Sequence, residues 1–235
     1  MSAAIFHPED VHPSLWLASQ LARGSMRTVD TGYAALSAEL PGGGWPVGAL
    51  VDLLTQQPGV GEIRLLRPAL AALATRPIAL VQPPHPPNAP AFAYLGMPLE
   101  QLIQVRASKT ADALWSAEQI LRAGTCGALL FWAPYVSTAS LRRLHLAAQS
   151  SETLFVMVRS LAAAQDASPA LLRLAVRPEG DGISVDIVKR RGPTRAEPVS
   201  VPLQPSPILL SRHARSSRSQ TAPTRAGSVS AEVVA

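Results

Sequence analysis

The run QQPGVGEI at residues 56–63 is the part of this sequence that most resembles a ligand-binding motif. It follows a short apolar run and precedes a helical pattern, which is where a phosphate-binding loop of the form G-x-x-x-x-G-K-[ST] lies. In such a loop, backbone N–H groups cradle the phosphates, the lysine reaches the terminal phosphates and the hydroxyl holds Mg²⁺. Gly61 matches the final glycine of the motif. Gln56 replaces the first glycine, Glu62 replaces the lysine and Ile63 replaces the hydroxyl residue.

A carboxylate at position 62 disfavours a bound nucleoside triphosphate. Like charges about 4 Å apart repel by about 4 kcal/mol at the effective dielectric of a protein surface, and the attraction of the lysine is lost as well. We expect the Glu62 carboxylate to interact instead with the free N–H groups near the start of the next helix. The sequence therefore predicts a degenerate phosphate loop without cofactor or metal, formed by Gln56, Gly59, Gly61, Glu62 and Ile63.

Two other positions also lack the polar groups that a nucleotide-hydrolysing enzyme of this type needs. The apolar run ALLFWA at residues 128–133 contains no acidic residue to hold Mg²⁺. After the strand predicted at residues 77–81, the run QPPH replaces a catalytic glutamate, and His85 has no phosphate or metal to act on. The five histidines show no metal-ligand spacing, and Cys126 is typical of a small core residue. We expect no catalytic residue and no metal ligand.

Short apolar runs of strand type alternate with helical patterns along most of the chain. This alternation predicts an α/β fold with a mainly parallel sheet and helices on both faces. Pro68 suits the first turn of a helix rather than its interior, so the regular helix should begin near Arg67. The run PGGGWP at residues 41–46 should be turn-rich and without regular structure. The predicted strands are 49–54, 77–81, 102–105, 127–132 and 153–158, and the predicted helices include 13–22, 65–74, one from Thr110 and one capped by Ser137 or Thr138.

Residues 171–176 and 183–188 are predicted to form a C-terminal β-hairpin, because two apolar runs flank the turn sequence PEGDG. Three basic residues follow the second strand: Lys189, Arg190 and Arg191. One interpretation is a solvated strand end. The other, which we adopt as a hypothesis because the body of the chain carries little surplus charge, is a contact for an acidic partner surface or a DNA backbone.

Composition is typical of a globular protein with one domain and tails. The 235 residues, 47% of them hydrophobic, can bury one substantial core, and no apolar run reaches the roughly 18 residues that span a bilayer. We expect a helical segment at residues 1–25, a domain at 26–203 and a disordered basic tail at 204–235. The tail holds four arginines against Glu232 alone. The single cysteine and the absence of a signal sequence predict a cytoplasmic protein.

The order of these parts resembles the RecA core, and individual runs resemble the ImuA family. They lie between about Leu15 and Leu203, and their shared order carries the resemblance, which does not extend into the tail. A phosphate loop without lysine is usual in that family, so Glu62 agrees with it. The runs are LPGGGWP at 40–46, GVGEIRLL at 59–66, PPH at 83–85, ALW at 113–115, AEQILR at 117–122, CGALL at 126–130, LRRL at 141–144, SPA at 168–170 and KRRG at 189–192.

The resemblance implies a RecA-like P-loop NTPase-type core and a non-enzymatic accessory role in SOS-induced mutagenic translesion DNA synthesis. The partners it implies are an ImuB-like protein, a DnaE-type polymerase and, as a further candidate, RecA. Contact with DNA would then be indirect, with association with the nucleoid after DNA damage. An alternative is a SulA-like cell division inhibitor that binds FtsZ, because ImuA and SulA sequences are distantly similar. A second alternative is a weak DNA-dependent ATPase.

Overall fold

The computed structural model describes residues 27–192 and 197–203. The helix predicted at residues 13–22 and the tail predicted from residue 204 lie outside these residues. The strands are β1 (Thr28–Asp30), β2 (Gly44–Pro46), β3 (Ala49–Thr55), β4 (Ile78–Val81), β5 (Leu102–Val105), β6 (Ala128–Trp132), β7 (Leu154–Ser160), β8 (Leu172–Glu179), β9 (Gly182–Lys189) and β10 (Val199–Pro202). The helices are α1 (Ala34–Glu39), α2 (Glu62–Leu73), α3 (Ala89–Tyr94), α4 (Thr110–Ala123) and α5 (Thr138–Gln149), with short 3₁₀ turns at Pro41–Gly43, Leu99–Gln101 and Leu161–Gln165.

The central feature is a sheet that, within the described residues, has eight strands in the order β10-β9-β8-β3-β7-β6-β4-β5. The six strands from β8 to β5 pair in parallel, whereas β9 and β10 are antiparallel to their neighbours. Strands β3, β4 and β6 are buried along their whole length, as strands covered on both faces must be. The predicted α/β class, mainly parallel sheet and C-terminal hairpin are confirmed.

Helices cover both faces of this sheet. Side chains alternate between faces along each strand, so Val51 and Leu53 of β3 contact one core cluster while Leu50 contacts the other. The first cluster packs beneath α1, α2 and α3, and the second beneath α4 and α5. The predicted placement of helices on both faces is confirmed as well.

Helix α2 begins at Glu62 and contains Pro68 in its interior, so the prediction of a regular helix starting near Arg67 was wrong. A proline at this position cannot donate to the carbonyl of Arg64, four residues earlier. The hydroxyl of Tyr33 donates to that carbonyl oxygen at 3.0 Å and replaces the missing bond. Burial raises the pKa of Tyr33 above its ordinary value, so this donor keeps its proton. A contact from a separate segment therefore accommodates the proline.

The run at residues 41–46 is also more regular than predicted. Its last three residues form β2, which pairs with β1 so that Gly44 lies opposite Asp30. A side chain at Gly44 would collide with the carbonyl of Val29, so glycine permits the close approach of the two strands. Trp45 is completely buried between them and the core. Sequence analysis did not predict β1, β2, α3 or β10.

A buried ionic cluster joins three strands of the sheet. The Oδ2 atom of Asp52, on β3, accepts from Arg173 Nε at 3.1 Å, Arg159 Nη1 at 3.4 Å and Ser168 Oγ at 2.7 Å. Arg173 also donates to the carbonyls of Ala163, Ala164 and Asp166. The carboxylate is fully buried, and removing it would leave the two buried guanidinium groups without their shared partner. This cluster fixes the segment between β7 and β8 against the sheet.

Candidate functional site

The degenerate phosphate loop joins the carboxyl end of β3 to the start of α2. Gln56 and Gly59 are exposed, while Gly61 is partly buried and Glu62 is 3% exposed. Gly59 and Gly61 have φ of 91° and 117°, which favour glycine. In open α/β sheets, ligands bind outside the carboxyl ends of the strands, and this loop lies at such an end.

The side chain of Glu62 turns back into its own loop. Gly59 N–H donates to both carboxylate oxygens, at 2.9 Å to Oε1 and 3.1 Å to Oε2. Gly61 N–H donates to Oε2 at 3.2 Å. The carboxylate therefore takes up backbone donors that a phosphate group would use in a working loop, and it adds a negative charge at the same place. The sequence predicted that the Glu62 carboxylate would accept from backbone N–H groups near the start of the helix. The donors lie in the loop instead of in the first turn of the helix.

Two other loop residues, Gly61 and Ile63, pack against neighbouring elements. Ile63 is partly buried and packs against the first core cluster. A Cβ atom at Gly61 would lie 2.9 Å from a methyl carbon of Leu203, so the residue after β10 closes over the loop. Arg64 Nη2 fixes this contact by donating to the Leu203 carbonyl at 3.1 Å. The loop is held between its own helix and the C-terminal strands.

At the same end of the sheet, the carboxyl ends of β4 and β6 carry no acidic side chain. After β4, Gln82 has φ of 52°, and its amide forms two hydrogen bonds with the backbone of Ala107, at 2.6 and 3.3 Å. These hydrogen bonds support the strained backbone at Gln82. They also join the chain beyond the paired residues of β4 and β5. His85 is exposed, and β6 ends at Trp132. Within the described residues, no group of three histidine, cysteine or acidic residues is arranged to hold a metal ion.

The basic triplet begins at the last residue of β9. Because β9 runs antiparallel to β8, the triplet lies near the amino ends of the parallel strands, whereas the loop lies at their carboxyl ends. Arg190 is not a free charge on a rim, because its guanidinium pairs with the Glu39 carboxylate at 3.0 Å and also donates to the Glu39 carbonyl. Lys189 Nζ donates to the Ser168 carbonyl at 3.0 Å. Arg191 is exposed. Two of the three side chains therefore make contacts within the domain, and the hypothesis that the triplet contacts a partner surface or DNA stays a prediction.

Two buried titratable groups lie away from the loop. Burial raises the pKa of the Cys126 thiol, which is the environment of an unreactive core cysteine. His145 on α5 accepts from Leu50 N–H through Nδ1 at 3.3 Å, and burial, together with nearby Lys189, lowers its pKa. Sequence analysis missed His145, Tyr33 and the Asp52 cluster. The signal for Asp52 was an acidic residue within an otherwise apolar strand, ALVDLLT.

Comparison with known proteins gives a short similarity. The chain is 29% identical over 75 residues to the cell division inhibitor SulA of Edwardsiella piscicida. The matched segment covers 32% of this chain and 45% of that protein, less than half of its length. No family model matches the chain. The similarity relates the chain to SulA and does not single out the ImuA family.

In the ranges 27–192 and 197–203, none of the helices combines the length and the apolar composition that crossing a bilayer requires.

Proposed function

We propose that this chain is a non-enzymatic adaptor of the bacterial SOS response to DNA damage, acting in mutagenic translesion synthesis. The observation that carries the proposal is the Glu62 carboxylate, which occupies the donors of a phosphate loop on an α/β domain consistent with a RecA-like core. A domain that keeps this architecture while blocking the loop with its own side chain is suited to binding other proteins rather than to hydrolysis. The resemblance to ImuA proteins supports the translesion role.

The proposed partners are an ImuB-like protein and a DnaE-type polymerase, with RecA as a further candidate. Arg191 is the residue of the basic triplet best suited to an outside contact, because it is exposed while Lys189 and Arg190 hold groups of the domain. An acidic partner surface meeting it would be steered by charge, so capture should weaken as salt is raised. Contact with DNA would come through the partners.

Capture from cells after DNA damage tests this proposal. The full chain, tagged and folded, should retain an ImuB-like protein and a DnaE-type polymerase, and its gene should be required for damage-induced mutation. Arg191→Glu should reduce capture, whereas Arg142→Glu, the same charge change at an exposed position on α5, should not. The adaptor role would be refuted if cells lacking the chain showed unchanged mutagenesis and the tagged chain retained neither the ImuB-like protein nor the DnaE-type polymerase.

A second candidate is a cell division inhibitor that binds FtsZ, and the similarity to SulA favours it. This candidate also needs no nucleotide chemistry, so the blocked loop agrees with it equally well. Expression of the chain in undamaged bacteria discriminates between the two. Filamentous growth with FtsZ retained on the tagged chain would support the inhibitor, while normal division with mutagenesis restored in a deletion strain would support the adaptor.

A further inference from the structure

A groove crosses the sheet at the end opposite the phosphate loop. It lies at the amino ends of the neighbouring strands β8, β3, β7, β6 and β4, and its volume is about 870 Å³. Gly48 before β3, Glu152 before β7 and Gly124 before β6 all line it. Ligand pockets in proteins commonly have volumes of about 300 to 1,000 Å³, so this groove is large enough to hold a ligand.

The strands set the length of the groove. Its lining runs from Arg76, which precedes β4, to Leu171, which precedes β8. Neighbouring strands lie about 4.8 Å apart, so five of them span about 19 Å, which is the length of about six residues of extended chain. A short extended peptide therefore matches the length of the groove.

The guanidinium of Arg76 makes the β4 end of the groove basic. Its Nη2 donates to the carbonyls of Gly124 and Cys126, at 2.6 and 2.7 Å. Its Nε donates to the Thr125 carbonyl at 3.2 Å. Among the described residues none accepts from Nη1, which can therefore donate to an outside acceptor. Because three carbonyls already fix this side chain, a ligand that binds to it costs little further conformational entropy.

Arg122, on the last turn of α4, adds a second positive charge at this end. Its Nη2 pairs with the Glu118 carboxylate at 2.7 Å, and the same carboxylate pairs with Arg143 at 2.8 Å. One negative charge thus serves two guanidinium groups, and the Arg122 side chain is 61% exposed. Two arginines are therefore placed to donate to carboxylates of a ligand.

The rest of the groove is less charged. Arg27 and Glu152 form an exposed ion pair in its middle. Val47 and Leu171, both partly buried, line the end near β3 and β8. Three arginines and one glutamate line the groove, which gives a surplus of two positive charges. The groove thus offers an anion subsite at one end and apolar contact at the other.

We propose that this groove binds a short extended segment of a partner protein, with acidic side chains at the arginine end and an apolar side chain at the Val47 end. The charge of the lining selects the acidic end of the segment, and the length of the groove selects about six residues. The inference does not depend on the proposed function, since it rests on this groove rather than on the loop or the basic triplet.

Single-stranded nucleic acid fits the groove less well. Proteins that bind it stack bases on aromatic side chains, and none of the described residues that line the groove is aromatic. The Glu152 carboxylate and the carboxyl ends of α4 and α5 would repel a backbone with a phosphate at every position. A peptide backbone instead supplies N–H donors to such groups. These features favour a peptide with a few carboxylates over a nucleic acid.

Fluorescence anisotropy of labelled hexapeptides tests the proposal on the full-length protein. The acidic peptide carries two aspartates at one end and two leucines at the other, with blocked termini, and is made in both chain directions. A control peptide carries lysines in place of the aspartates. The acidic peptide should bind in at least one direction, and binding should weaken as salt is raised. The lysine peptide should not bind.

Variants of the lining assign the binding to the groove. Arg122→Glu should weaken binding of the acidic peptide by about tenfold, because it replaces an attraction with a repulsion. Arg142→Glu, the same change at an exposed arginine of α5 outside the groove, should leave binding unchanged. Glu152→Gln removes a carboxylate from the lining and should strengthen binding by about threefold. Since damage to the fold only weakens binding, this opposite change separates a ligand contact from a structural role.

Circular dichroism and the thermal midpoint verify that each variant is folded. An acidic peptide that binds in neither direction would overturn the proposal, and so would equal binding by the parent and Arg122→Glu. A single-stranded oligothymidylate that displaces the peptide and loses affinity in Arg122→Glu would assign the groove to nucleic acid instead. Binding that appears only after residues 1–26 are removed would assign the groove to that segment of the chain.

Discussion

At the scale of single residues, the Glu62 carboxylate is held by the N–H groups of Gly59 and Gly61, and these two glycines keep left-handed backbone angles. The loop thus keeps the backbone form of an anion site, with the anion supplied by the chain itself. The Glu62 carboxylate therefore fills the backbone cradle without a bound anion.

Replacing Glu62 with alanine should empty the cradle. We expect a loss of about 1 to 2 kcal/mol in the free energy of unfolding, because three charge-assisted hydrogen bonds disappear and water reaches only part of the loop. Inorganic phosphate should then stabilise Glu62→Ala more than the parent, since an outside anion can use the same donors. Urea unfolding with and without phosphate measures both effects. Asp181→Ala, an exposed acidic change in a turn, is the control. An equal response of parent and variant to phosphate would contradict the interpretation.

His145 predicts a pH dependence of stability. Its pKa is lowered in the folded protein, mainly by burial and then by Lys189, and its Nδ1 must be unprotonated to accept from Leu50 N–H. The unfolded chain therefore binds the proton more readily, so stability is fully present above about pH 6.5 and falls as the pH drops through the folded pKa.

Unfolding measured in urea from neutral to mildly acidic pH should show this decline. His145→Gln keeps an acceptor but cannot titrate, so part of the decline should vanish, whereas His85→Gln at an exposed position should leave it unchanged. If both variants follow the parent, other groups are responsible for the acid sensitivity.

At the scale of elements, α2 illustrates how a helix with an interior proline is supported from outside. The Arg64 carbonyl that Pro68 leaves without its helical donor receives the Tyr33 hydroxyl. The same contact ties the segment between β1 and α1 to the helix that follows the phosphate loop. The hydrogen bond that Pro68 removes from the helix is therefore replaced by a tertiary contact with Tyr33.

A double-mutant cycle measures this support. Tyr33→Phe should destabilise the protein by about 1 kcal/mol, because a partly buried carbonyl loses its partner. In a Pro68→Ala background the helix supplies its own N–H, so the cost of Tyr33→Phe should shrink. Chemical denaturation of the four proteins gives the coupling energy. Equal costs in both backgrounds would mean that the hydroxyl does not compensate for the proline.

At the scale of the whole molecule, the loop lies at the carboxyl end of a mainly parallel sheet and is closed by residues of the chain itself. Leu203 covers Gly61 and Glu62 fills the cradle. Gln82 follows β4 and Trp132 ends β6, and neither supplies a carboxylate for Mg²⁺.

We expect no specific binding or hydrolysis of ATP. Calorimetry with ATP and Mg²⁺, and phosphate release with and without single-stranded DNA, provide the measurement. Glu62→Lys alone should not restore hydrolysis, because the end of β6 still lacks an acidic residue. Micromolar affinity, or turnover stimulated by DNA well above background, would favour the DNA-dependent ATPase instead.

The sequence by itself determined the features that depend on neighbouring residues. The apolar runs identified β3 to β9, Ser137 capped α5 by accepting from Ser140 N–H, and the loop residues revealed a blocked phosphate site. Strand and helix patterns arise from local periodicity and capping, and the replacement of lysine by glutamate changes the chemistry wherever the loop lies. None of these features requires a contact between residues far apart in the chain.

The tertiary structure alone decided the contacts between residues far apart in the chain. Asp52 meets Arg159 and Arg173 across separations of 107 and 121 residues, and Arg190 meets Glu39 across 151. No local pattern encodes such pairs, because parallel pairing and crossover connections bring distant segments together only once the sheet has formed. The same reason explains why the position of Pro68 inside α2 was not predicted. The hydroxyl that replaces its missing donor belongs to Tyr33, which lies outside the helix. Long-range contacts also distinguish the residues of the basic triplet, because Lys189 contacts Ser168 and Arg190 contacts Glu39, whereas Arg191 is exposed.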